Sequence, residues 1–264
     1  MRLAWATDLH LDFLDPAERR AFAATVAAAR PDGLVVTGDI ATGPTVIDAL
    51  RDLRRDAGVP LWFVLGNHDF YRSSIADVRP RARAVTAEAG GPAWLPATGV
   101  VRLGETTALL GHDGWGDGRL GDFAGTTVQL NDFYLIAELT HLHRDALGTR
   151  LVALGDEAAA HLRATVAEAL TWARHLIVAI HVPPFREACW HEGQISDDDW
   201  LPFFTCAAAG EVLREAMAAH PSAHMTVLCG HTHSAGTAEI LPNLKVRTGA
   251  AAYGRPALQD VLEL

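Results

Sequence analysis

Leu61-Trp62-Phe63-Val64-Leu65-Gly66-Asn67-His68-Asp69 is the stretch that decides the fold. Five apolar residues, too few for a helix, stop at a glycine, and the next three side chains offer an amide, an imidazole and a carboxylate. This reads as a buried strand that delivers polar groups at its C-terminal end. The same grammar recurs four times. Leu3 to Ala6 leads to Asp8-Leu9-His10, Leu34 to Thr37 leads to Gly38-Asp39, Leu176 to Ile180 leads to His181, and Met225 to Cys229 leads to Gly230-His231-Thr232-His233. If the first strand stays extended, Asp8 and His10 fall on one side of it.

Ala-rich amphipathic stretches separate these strands, the alternation expected of an α/β protein whose helices cover a sheet. Asp15-Pro16-Ala17-Glu18 supplies an N-cap, a proline at the first helical position and a glutamate at the third, and the helix it starts runs towards Ala29 and stops before Pro31. Further helices are expected over Val46 to Arg55, Ser74 to Glu88, Asn131 to Arg144, Asp156 to Arg174 and Ala207 to His220. Shorter strands are expected at Val100 to Leu103, Thr107 to Leu110, Thr237 to Leu241 and Lys245 to Thr248, which makes the sheet mixed. With no low-complexity linker or repeat, residues 1–264 read as a single domain.

The composition narrows the function. With 32 acidic and 22 basic residues the net charge is -10, which repels a phosphate backbone and argues against broad nucleic-acid binding. Cys189, Cys206 and Cys229 are odd in number and lack CxxC spacing, so they read as reduced thiols. No apolar run reaches membrane-spanning length and no signal peptide precedes Asp8, so a cytoplasmic location is expected.

The five strand ends gather carboxylate, imidazole and amide donors without a thiolate, a set suited to a catalytic Mn, Fe or Zn site rather than a structural zinc cage. In that order the motifs resemble the calcineurin-like metallophosphoesterases, whose signature is DxH, GD, GNHD or GNHE, a lone histidine and GHxH. The resemblance covers Asp8 to His233. It implies an α/β fold in the form of a four-layer α/β/β/α sandwich of two mixed β-sheets flanked by helices, with two metal ions, Mn first and Fe or Zn next. By position, Asp8, His10, Asp39 and His233 would hold one ion, and Asp39, Asn67, His181 and His231 the other. Asp39 would bridge them. His68 would be catalytic, facing the phosphate and serving the departing oxygen.

Two departures matter. Thr42 stands where many members carry an acidic or amide residue that orients the catalytic histidine, and the protein-phosphatase Asp-Arg-Gly continuation is missing, which disfavours a phosphoprotein substrate. Arg72 and Val182-Pro183-Pro184 look more like the small bacterial phosphodiesterase branch. The expected activity is therefore hydrolysis of a small phosphodiester or phosphomonoester. A nuclease acting on a short oligonucleotide and a non-catalytic interaction scaffold with the same fold are the alternatives.

Several residues carry two readings. Asp69 either supports His68 or anchors the turn backbone. Arg72 either contacts phosphate or is a solvated surface arginine, and His112, which closes a strand in a glycine-rich loop, either supports or lines the pocket or has no part in the site, the first being favoured. The irregular segments 111–127 and 183–202 form a candidate substrate rim, where Trp115, Trp190 and Trp200 either stack on a substrate ring or pin the loops to the core.

Overall fold

Strands that are apolar on both faces must be covered on both faces, and the computed structural model, which describes residues 1–264, shows how. The first sheet has the order β13-β1-β2-β3-β4, from β1 (Arg2–Ala6), β2 (Gly33–Thr37), β3 (Leu61–Val64), β4 (Ala93–Trp94) and β13 (Leu258–Glu263). β1 to β4 are parallel, and β13 runs antiparallel along β1. The second sheet has the order β11-β12-β10-β7-β6-β5, from β5 (Val101–Arg102), β6 (Thr107–His112), β7 (His175–Ile180), β10 (His224–Cys229), β11 (Gly236–Leu241) and β12 (Leu244–Thr248). Here β6, β7, β10 and β12 are parallel, with β5 and β11 antiparallel at the edges.

The period-2 alternation of each strand sorts its side chains between two layers. Leu3, Trp5, Val35 and Val64 meet Leu109, Ile177, Ala179 and Leu228 between the sheets. Ala4, Ala6, Leu34, Val36 and Phe63 point the other way, into a core shared with α1 (Pro16–Ala28), α2 (Val46–Ala57) and α3 (Ile75–Thr86). Val178, Val227 and Val246 pack in a third core with α6 (Arg144–Leu170) and α8 (Ala207–Ala219). The result is two mixed sheets face to face with helices outside each, the expected four layers.

The start of α1 matches its signals: the Asp15 carboxylate accepts from the Ala17 and Glu18 amides at 2.7 and 2.9 Å, and Glu18 accepts from the Asp15 amide at 2.8 Å. Three expectations need correction. Asn131 to Arg144 is not a helix but one short turn, α5 (Asp132–Leu135), followed by irregular chain, and α6 begins twelve residues earlier than Asp156. Within α6, position 155 is glycine because the loop bearing Asp117 crosses there. A Cβ on Gly155 would sit 2.5 Å from the Asp117 Cβ. Strands β4 and β13 were not foreseen. The segment 183–202 is also less irregular than expected, holding a hairpin of β8 (Trp190–His191) and β9 (Gln194–Ile195) before α7 (Leu201–Phe204). The remaining short helix, α4 (Leu95–Thr98), follows β4.

Candidate metal centre

The parallel strands of both sheets end at one edge of the sandwich, and every motif lies on the loop just beyond an end. The chain does not stay extended there. Asp8, His10, Asp39, His231 and His233 all have left-handed backbones, with φ between 44° and 70°. Left-handed non-glycine residues carry strain and cluster at functional sites. Asp8 and His10 therefore converge through this kink, not through strand alternation. Gly66 permits the close packing, since a Cβ there would lie 2.1 Å from an oxygen of Asp39.

Donor atoms of Asp8, His10, Asp39 and His233 all lie within 4.8 Å of one another. His10 Nε2 is 3.3 Å from His233 Nε2 and 3.9 Å from Asp39 Oδ2, and His233 Nε2 is 3.4 Å from Asp8 Oδ1. Asp39 turns its other oxygen to a second group. Its Oδ1 is 3.3 Å from His181 Nε2, which is 3.1 Å from Asn67 Oδ1 and 3.2 Å from His231 Nδ1.

Hydrogen bonds behind the second group fix which atoms face inward. A carbonyl can only accept, so His181 Nδ1 donates a hydrogen bond to Thr37 O (2.9 Å) and His231 Nε2 donates one to Phe203 O (3.2 Å). Asn67 Nδ2 donates to Asp132 Oδ1 at 2.8 Å, which leaves the amide oxygen inward. Three lone pairs and a carboxylate oxygen thus aim at one spot with no proton between them.

The electrostatics agree. Burial holds His231 down at about 3 and His10 at about 4, so both imidazoles are neutral, the form that binds metal. Burial, then the charges of Asp8 and Asp69, push the Asp39 carboxyl well above its usual range. Buried His10 Nδ1 has no hydrogen-bond partner. Crowded carboxylates and facing lone pairs are what a cation relieves, and the nitrogen and oxygen donors fit two divalent ions.

His68 lies beside this centre, in the wall of an open cleft of about 260 Å³. Its Nε2 is 3.9 Å from Asp39 Oδ2, and its amide donates to Asp39 Oδ1 at 2.9 Å. Its ring stacks on Tyr71, centroids 4.2 Å apart. Tyr71 is in turn anchored by donating its hydroxyl to Asp132 Oδ1 at 2.7 Å. Thr42 plays no part in this, its hydroxyl facing Thr45 at the start of α2. Asp69 is the backbone anchor: its carboxylate accepts from the amides of Ile40, Ala41 and Gly66 at 2.8–2.9 Å, tying the Asp39 loop to the Asn67 turn.

The rim residues fare differently. Trp115 is only 4% exposed and packs against Phe70 in the first core, so it is not a rim residue. His112 ends β6, is buried against His161 and accepts from the Gly114 amide, also away from the cleft. Trp190 lies flat over Gly236, and Arg72 is exposed outside the cleft lining. From segment 183–202 it is His191 that lines the cleft, packed against Trp200 and Phe204. Tyr253 faces it from the loop before β13, 4.5 Å from the His10 ring. Sequence reading passed over Asp132, Tyr71 and Tyr253, which belong to no spaced motif. Asp113, another buried acid, accepts from the Leu65 amide and Trp94 Nε1 and pairs with Arg79 at 3.1 Å, bracing the strand ends from behind.

A four-layer sandwich with a buried His/Asp donor cluster at its strand ends defines the class of dimetal phosphoesterase folds. The chain belongs to the calcineurin-like phosphoesterase family, whose model matches residues 1–235. Among solved structures it is similar to phosphopantetheinyl hydrolase from Mycobacterium tuberculosis, at 18% identity and TM-score 0.67, covering 95% of this chain and 89% of that one. It is also similar to a dimetal phosphatase from Danio rerio, at 14% identity and TM-score 0.59, covering 97% and 89%. No curated protein matches the sequence.

Proposed function

We propose that this protein hydrolyses a small phosphoester, a phosphodiester before a monoester, with two divalent cations held by the residues at the strand ends. The observation that carries the reading is the pair of adjoining donor groups sharing Asp39, one oxygen of which lies 3.9 Å from His10 Nε2 and the other 3.3 Å from His181 Nε2. Asp8, His10, Asp39 and His233 would hold one ion and Asp39, Asn67, His181 and His231 the other, with manganese the first choice and iron or zinc next. Such a pair supplies an acidified water and neutralises the phosphoryl oxygens during in-line displacement.

The side chains around it do the rest. Asp132 keeps the Asn67 oxygen inward and, through Tyr71, holds the His68 ring against the cleft. In the free protein burial, then His10, keep His68 near about 2 and therefore neutral. A bound phosphoryl charge raises that value and the two cations lower it, so His68 would serve the departing oxygen as a neutral N–H donor. The net charge of -10 supports a small phosphorylated substrate over a nucleic-acid strand. Three free, buried cysteines support a reducing compartment, the cytoplasm, and no helix is long and apolar enough to cross a membrane.

The test is turnover of bis-p-nitrophenyl phosphate and p-nitrophenyl phosphate by chelator-stripped protein, before and after manganese. Activity should vanish and return, with the diester turned over faster. Full activity without metal would overturn the mechanism, and a monoester preference would overturn the substrate assignment.

A further inference from the structure

Beside the metal cleft lies a second cavity of about 400 Å³, which no motif foretold. Buried Phe133, Leu139, Leu147 and Phe203 make its floor. Tyr134 and Leu142, 64% and 38% exposed, stand on its lip. Two such side chains held in water at the mouth of an apolar hollow mark a binding surface more readily than either would alone.

Two features join this groove to the metal cleft. Gln129 lines both, and the segment 128–134 is their common wall. Phe203 faces the groove and Phe204 the cleft, and the Phe203 carbonyl accepts the proton of His231. The groove and the cleft are therefore neighbours on either side of that segment, meeting at Gln129. Its one formal charge, Arg144, is already committed, with both terminal nitrogens donating to the carbonyls of Phe123 and Thr126. His141 is exposed at the mouth, so the buried floor of Phe133, Leu139, Leu147 and Phe203 offers no cation to an anionic group. Its volume lies in the range of small-molecule sites, roughly 300–1,000 Å³.

We propose that this groove is the subsite for a neutral, predominantly apolar ester arm of the substrate. The inference rests on the phosphodiesterase reading, and it names the class: a phosphodiester with one alkyl- or acyl-like arm. The arm in the groove stays on phosphorus while water adds its oxygen to phosphorus. The bond from phosphorus to the other ester oxygen breaks, and that oxygen leaves as the alcohol with a proton.

Two measurements on manganese-loaded protein test it. Across p-nitrophenyl methyl, butyl and octyl phosphates, kcat/KM should rise at least about tenfold from methyl to octyl, since each buried methylene is worth up to about fourfold. By calorimetry octyl methyl phosphate should bind at least about tenfold tighter than dimethyl phosphate. In the double variant Tyr134→Ser, Leu142→Asn, both positions being exposed, the two gains should shrink to under about threefold while the methyl ester is handled as before. Turnover with no dependence on chain length overturns the groove and leaves the phosphodiesterase reading standing. Chain-length-dependent binding without turnover of any diester does the opposite. An octyl preference that survives in the double variant places the arm elsewhere and overturns the groove.

Discussion

Asp132 is buried, and its Oδ1 accepts hydrogen bonds from both Asn67 Nδ2 and the Tyr71 hydroxyl. Asp132→Ala should free the Asn67 amide to rotate and weaken binding of one cation about 10–100-fold, the usual cost of losing an outer hydrogen-bond partner. The other ion should stay. Metal titration of the variant checks this, and Asp132→Asn, which keeps an acceptor oxygen, should recover part of the affinity. Equal loss of both ions would place Asp132 in general folding support. His68→Ala should keep both metals and lose about 10²–10⁴ in rate with a poor leaving group. The loss should shrink for p-nitrophenyl esters, because a stable departing aryloxide needs little help from a proton. Loss of metal instead would make His68 a ligand.

At the scale of the element, what was legible in the sequence was whatever has a local signal. The five strands that are apolar on both faces and end in a motif were readable, and so was α1, with cap, proline and glutamate in consecutive places. The missed elements lack such signals. β13 is half-exposed at a sheet edge and shows no clean alternation, and β4 is two residues long. Asp132 escaped because its partner Asn67 is 65 positions away, and the two readings of Trp115, stacking on a substrate or pinning its loop, could be decided only by its packing on Phe70, which favours the second. Trp115→Ala should accordingly cost about 3–5 kcal/mol of stability, the range for emptying a large aromatic core site, without reordering substrates. Chemical denaturation with the substrate panel decides between the two roles. Where β6 packs on α6, His112 makes stability depend on pH. Burial, then the Arg79 charge, lowers it from 6.5 to about 3, so between those values the unfolded chain binds the extra proton. Stability should fall as pH drops through 6.5, by about 1 kcal/mol from this residue between pH 7 and 5.5. His112→Asn, which keeps an acceptor for Gly114, should lose that much less than the wild type in urea titrations at the two pH values.

Over the whole molecule, the donors come from both sheets. Asp8, His10, Asp39 and Asn67 follow strands of the first, while His181, His231 and His233 follow strands of the second, and the only interior the sheets share directly is a small apolar layer. A cation bound here is thus a cross-link between the two halves, and it relieves the crowding of Asp8, Asp39 and Asp69 at their junction. Binding to the folded state alone should raise stability by about 2.7 kcal/mol per ion at a hundredfold excess over its dissociation constant. For a chain of this size that corresponds to a Tm rise of roughly 5–10 °C per ion. Stripping the metal should lower Tm accordingly, and amide exchange should quicken together in the loops after β1, β2 and β3 and in those after β7 and β10. Asp39→Asn should reproduce most of the effect, since one neutral amide cannot satisfy two cations. Faster exchange confined to one sheet's loops would mean a single ion held by that sheet, and the shared-carboxylate arrangement would then be wrong.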